Sequence, residues 1–219
     1  MRVVQVVHDF LPNHPGGTEI HVWQLSRALL DQGVDVTVLA TERHEGEEQG
    51  SHRELDVGGV TVREVVWNDA FRDFAERERE PVTGDALSGA LSELSPDVVH
   101  FHHTAHWGAD ALRRARDSGA VVVATLHDYY ALCLRSTFLQ PGGVRCETAV
   151  PSVCASCIPP WPVEPALYGL EQGQEATARV SAVAARQGFT LAALNEADLL
   201  VSPSRTLRDV YAAHGVARD

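Results

Sequence analysis

The stretch VVQVVHDFLPNHPGGTEIHVWQLSRALLDQGVDVTVLA, Val3–Ala40, decides the fold. Its opening run, Val3–Val7, is β-branched and reads as a buried strand. A turn-rich loop, His8–Gly17, follows, with two prolines and the Gly16-Gly17 pair. From Thr18 to Gln32, the residues Ile20, Val22, Trp23, Leu25, Ala28, Leu29 and Leu30 recur at the spacing of an amphipathic helix. Gly33 stands where a helix C-terminal cap belongs, and Val34–Ala40 is a second apolar strand.

Outward from this unit the alternation continues. Val60–Val66 reads as a third strand after a polar loop, Thr41–Gly59. Helices are expected over Phe71–Glu80 and Asp85–Leu94, a strand over Asp97–Phe101, a helix over Trp107–Ser118 and a strand over Ala120–Leu126. An insert bearing Cys, Pro and Gly spans about 131–165. An Ala-rich helical stretch then runs to Ala197, interrupted by Gly169, Gly173 and Gly188. Asp198–Ser202 closes the series as a strand and Ser204–His214 as a helix. Strands alternating with helices predict an α/β fold, a Rossmann-like parallel sheet with helices on both faces, in one domain over 1–219.

Composition narrows the partners. There are 18 basic against 30 acidic residues, a net charge of −12, and every basic residue is an arginine. Such a balance disfavours non-specific binding to nucleic acid or anionic membrane. No segment approaches the roughly 20 apolar residues of a membrane span. MRVVQVV is no signal peptide, since His8-Asp9 follows at once. The expected location is cytoplasmic, where disulfides are disfavoured.

Ligands of open α/β sheets bind outside the carboxyl ends of the strands. His8, Asp9 and the Gly-Gly loop follow the first strand, and His102, His103 and His106 the fourth. His127-Asp128 follows the fifth and Ser202-Pro203-Ser204-Arg205 the last. Gly16-Gly17-Thr18 at a helix start reads equally as an anion cradle or as a tight turn needing positive φ. The patterns G-x-G-x-x-G and G-x-x-x-x-G-K-[ST] are both absent, which speaks against a nicotinamide oxidoreductase and a P-loop enzyme. A response-regulator-like fold is disfavoured because its strand-end Lys cannot exist here. His102 and His106 stand at i and i+4, but without a further ligand at metal spacing they read as polar lining. His127, after so apolar a strand, is aimed into the cleft to hydrogen-bond a substrate oxygen, or else its own backbone. Cys133, Cys146, Cys154 and Cys157 are spaced C-x12-C-x7-C-x2-C. They read as a closed structural zinc site, with disulfides or free thiols as alternatives.

Four stretches carry a family resemblance: PGGTEIHVWQLSRALLDQGVDVTVLAT (15–41), SPDVVHFHH (95–103), VVVATLHDYYALC (121–133) and ADLLVSPSRTLRDVYAAHGV (197–216). Together they resemble the N-terminal domain of GT-B fold glycosyltransferases of family 4, the retaining group-1 transferases. The insert CLRSTFLQPGGVRC (133–146) with CASC (154–157) is similar to that of a subgroup of polysaccharide-assembly transferases. The resemblance implies an acceptor-side domain facing a second, donor-binding domain across a cleft. It implies that a sugar passes from a nucleotide-sugar to a glycan or lipid-linked acceptor with retention of anomeric configuration. Gly16, Gly17 and Thr18 would then reach towards the donor diphosphate and sugar, and His127 would sit beside the transferring sugar as the catalytic residue. His102, His103, Asp128, Ser204 and Arg205 would line the substrate cleft. No catalytic metal is expected, in keeping with the absence of a DxD motif. No counterpart of the family's E-x7-E donor motif is found, so this chain alone is expected to be inactive and to bind sugar nucleotides weakly. A reading from another class is a non-catalytic scaffolding module that docks a partner supplying the donor domain, with peripheral membrane association a further expectation.

Overall fold

A computed structural model of the chain describes residues 1–68, 78–157 and 176–216. Seven strands form one sheet: β1 (Arg2–Val6), β2 (Asp35–Glu42), β3 (His52–Asp56), β4 (Thr61–Val66), β5 (Val98–Phe101), β6 (Val121–Thr125) and β7 (Leu199–Val201). Their spatial order is β3-β4-β2-β1-β5-β6-β7. All pairs are parallel except β3–β4. The helices are α1 (Gly17–Asp31), α2 (Pro81–Leu94), α3 (Ala111–Asp117), α4 (Pro151–Ser156), α5 (Ala176–Leu194) and α6 (Arg205–Ala213). The expected helix over Phe71–Glu80 falls largely outside the described residues, as do the end of the insert and the start of the Ala-rich stretch.

Both faces of the sheet are covered. On one, Val22 of α1 packs with Val38, Ala40 and Val62. On the other, Leu87 and Leu91 of α2 and Leu112 of α3 pack with Val4, Leu39, Val99 and Val122. Adjacent residues of one strand, such as Val38 and Leu39, therefore serve opposite cores, the period of two that a doubly covered strand requires. Helix α1 ends as its sequence implies: Gly33 lies at φ 77° and its N–H donates to Leu30 O, so the left-handed residue closes the helix.

Two expectations are corrected. Thr41–Gly59 is not all loop, because His52–Asp56 pairs antiparallel with β4 at the sheet edge. The helix expected over Trp107–Ser118 starts only at Ala111; Trp107 is fully buried by the loop before it, where its indole N–H donates to Val7 O at 2.7 Å.

The strand order places the site. From β1 the chain moves outward to β2 and β4, then returns to β5 on the other side of β1. The loops leaving β1 and β5 at their carboxyl ends therefore diverge and open a crevice between them, the position at which α/β sheets bind ligands.

Candidate active site

Three strand ends and one helix meet at this crevice. Strand β1 delivers His8 and Asp9, β5 delivers His102, His103 and His106, β6 delivers His127 and Asp128, and α1 adds Glu19 and His21. The His8 ring lies 4.4 Å from that of His103, and its Nε2 is 3.8 Å from Glu19 Oε1. His106 stacks on Trp67 at 3.9 Å, and its Nδ1 stands 2.9 Å from Thr41 Oγ1. His103 Nε2 lies 3.5 Å from Asp128 Oδ2, and Tyr130 packs against the His103 ring at 4.5 Å.

A hydrogen-bond relay runs from the sheet interior to the crevice. The register sets Gln5 of β1 beside His100 of β5. Fully buried Gln5 takes His102 Nε2 on its Oε1 at 2.7 Å, and His102 Nδ1 meets His127 Nε2 at 3.0 Å. With the Gln5 carbonyl accepting, His102 donates from Nε2 and accepts at Nδ1, so His127 donates from Nε2. The nitrogen of His127 left for a ligand is Nδ1, an acceptor.

Burial drives the protonation of this cluster. It holds His127 down at about 4, with His21 and His103 adding to the effect, and His100 at about 4. His102 lies well below its ordinary value, and His8 is lowered to about 2 by burial and the neighbouring imidazoles. Burial also raises the carboxyls of Asp9 and Glu19. It would raise Asp128 too, but hydrogen bonding and charge from His103 outweigh it and hold that carboxyl low. His8, His100, His102 and His127 are therefore neutral imidazoles near neutral pH. A neutral imidazole both donates and accepts, as a sugar hydroxyl does.

The Gly-Gly loop is not the tight turn needing positive φ. Gly16 caps α1 at φ −86°, and Gly17 is not among the residues with positive φ, so no tight turn demands either glycine. A Cβ at Gly16 would run into Glu19 Oε2, whereas a Cβ at Gly17 would meet nothing. Glu19, buried in the same first turn, places its carboxyl in the space beside Gly16. Thr18 is half-buried in the same turn.

Ser204 is a helix cap whose Oγ accepts from Leu207 N at 3.2 Å. With Arg205 it lines an open groove of about 720 Å³ along β7, beside the histidine crevice and sharing Leu126 and Tyr211 with it. A cavity of about 40 Å³ at the crevice itself is lined by His102, His103, His127, Asp128 and Tyr130, among others. Among the described residues, His21, His102 and His127 are the one group of three potential metal ligands whose ligand atoms lie within 4.8 Å of one another. This differs from the His102–His106 pair suggested by spacing. Ligation by all three needs a lone pair on both nitrogens that now share a proton at 3.0 Å. The sequence missed Glu19, His21 and Gln5, none of which follows a strand.

A parallel sheet that turns back at β1/β5, with its polar cluster at that switch point, has the build of the N-terminal Rossmann-like domain of a GT-B enzyme. The chain belongs to Glycosyltransferase Family 4, whose model matches residues 15–219. Its structure superimposes over its whole length on sucrose-phosphate synthase from Thermosynechococcus elongatus, with TM-score 0.54, 12% identity and 46% of that chain covered. An E. coli trehalose-6-phosphate structure bound with UDP-2-fluoro glucose gives TM-score 0.52, 14% identity and 44% coverage, again over the whole of this chain. A 42.6 kDa protein of the cps region of Klebsiella pneumoniae, of uncharacterised function, is 20% identical over 170 residues, 71% of this chain and 43% of that protein. The chain thus spans less than half the length of these relatives. No helix among the described residues is long and apolar enough to cross a membrane.

Proposed function

We propose that this domain is the acceptor-side wall of a retaining glycosyltransferase, with His127 as the residue that touches the transferring sugar. The observation that carries this reading is the Gln5–His102–His127 relay, which ends at the switch-point crevice and leaves a neutral His127 with an accepting nitrogen. In the reaction, an acceptor hydroxyl oxygen bonds to the anomeric carbon as the bond from that carbon to the diphosphate breaks. The departing phosphate oxygen takes the acceptor proton on the same face. His127 Nδ1 accepts a hydrogen bond from a sugar hydroxyl and orients the ring. Gly17, which has open space where a side chain would be, lets the donor approach the first turn of α1. His103, Asp128 and His8 suit a glycan or lipid-linked acceptor, because they match hydroxyls rather than phosphates.

The diphosphate is poorly served here. Asp9, Glu19, Glu42 and Asp128 make this wall anionic. The chain alone is therefore expected to bind UDP-, GDP- and ADP-sugars more weakly than micromolar by calorimetric titration. Micromolar affinity for any of them would show that a donor site is complete within this chain. The catalytic assignment is tested by His127→Ala in the protein as its full reading frame encodes it. Loss of transfer on the order of 10²-fold with unchanged folding supports the role, and unchanged transfer removes it.

A further inference from the structure

The four cysteines lie outside the crevice, and nothing in the transfer reaction uses them. They come from three separate pieces of the insert. Cys133 closes the turn after the Tyr129–Leu132 loop, its N–H donating to Tyr129 O at 2.7 Å. Cys146 follows a small hairpin bridged between Leu139 and Arg145, its N–H donating to Phe138 O at 3.0 Å. Cys154 lies in α4 and Cys157 caps it. All four nevertheless line one cavity of about 20 Å³, room for roughly one water-sized particle, and none is in a disulfide.

The described part of the insert, up to Cys157, buries little of itself. Between 133 and 157 only Phe138 and Ala155 are buried, while Leu139, Val144, Val150 and Val153 are exposed. Ser136 and Phe138 sit at φ 58° and 56°, a left-handed conformation that non-glycine residues keep only when their surroundings impose it. A segment this poor in core is commonly fixed by a cross-link. A polar partner for sulfur is in place: Gln187 Nε2 donates to Leu132 O at 2.8 Å and stands 3.6 Å from Cys154 Sγ.

We propose that Cys133, Cys146, Cys154 and Cys157 together bind one thiophilic divalent ion of the zinc class, in a closed structural site. Four thiolates leave no open position for water, so the ion braces rather than reacts. It braces the loop that leaves His127: Tyr129 stacks on Phe138 at 4.7 Å and Tyr129 N donates to Ser136 O. No three of the sulfurs lie within the 4.8 Å that groups the imidazoles, so loading draws them inward over the cavity.

The test uses the intact chain purified under reducing conditions, loaded with zinc and desalted. One zinc per chain by elemental analysis is expected, with all four thiols protected from a thiol reagent until the metal is stripped. Cobalt in its place should give a sulfur-to-metal charge-transfer band and tetrahedral d–d bands. Cys154→Ser with Cys157→Ser should abolish retention, and His21→Ala should leave it intact. Thiols equally reactive with and without zinc, or retention lost in His21→Ala but kept in the cysteine variant, would overturn the proposal. These readouts need no transfer assay, so they stand or fall apart from the transferase reading.

Discussion

At the scale of single residues the site rests on protonation states set by burial, and this has a measurable sign. His127 and His100 titrate at about 4 in the folded chain against 6.5 unfolded. Between those values the unfolded chain binds more protons, so stability is complete above about pH 6.5 and falls as pH drops towards 4. The lowered Asp128 and Glu42 carboxyls act in the same direction at lower pH, while half-buried His14, raised by its bond to Glu42, and the raised carboxyls of half-buried Asp9 and buried Glu19 oppose it. Calorimetric melting should be flat from pH 8 to about 7 and decline steadily below; a midpoint constant down to pH 4.5 would contradict the buried neutral cluster. Gln5→Leu removes the acceptor that fixes the His102 tautomer and leaves a buried N–H unpaired. It should cost about 1–3 kcal/mol in chemical denaturation and lower transfer as well. Gly17→Val separates fold from function differently. With nothing within 4 Å of its Cβ, stability should change by less than about 1 kcal/mol, while transfer falls because the donor's approach is blocked. His127, His102 and His103 were legible because each follows an apolar strand. Glu19 and His21 were not, since only the packing of α1 across the sheet brings them to those strand ends.

At the scale of elements, the unit β1–α1–β2 could be read directly, because each piece carries one unbroken hydrophobic period and a glycine stop at Gly33. Strand β3 could not. Its residues HRELD are mostly exposed at a sheet edge, so no buried face writes a period into them. The overlong helix at Trp107 failed for the opposite reason: Trp107 and Ala109 are apolar because a loop is buried, not because a helix presents a face. The loop after β6 is held from below by α5, where Arg186 Nε bonds Glu78 Oε1 at 2.8 Å and its guanidinium donates to Tyr130 O. Both members of this pair are buried. Arg186→Met should leave the Glu78 charge buried without its partner and cost about 3–5 kcal/mol in denaturant titration. A loss below about 1 kcal/mol would mean that the pair does not anchor this loop.

At the scale of the whole molecule, the order β3-β4-β2-β1-β5-β6-β7 makes the crevice, and the side chains only furnish it. Alternating strands and helices announced the parallel sheet, but not on which side of β1 each later strand would lie. The switch point, and with it the meeting of His8 with His103, became visible only in three dimensions. The proposed chemistry then hangs on one stereochemical outcome. The protein of the full reading frame, given a panel of UDP-, GDP- and ADP-sugars and a glycan acceptor, should form a glycosidic bond that keeps the donor's anomeric configuration by NMR. His127→Ala should slow that bond formation on the order of 10²-fold. An inverted product, or a variant as fast as the parent, would contradict the account.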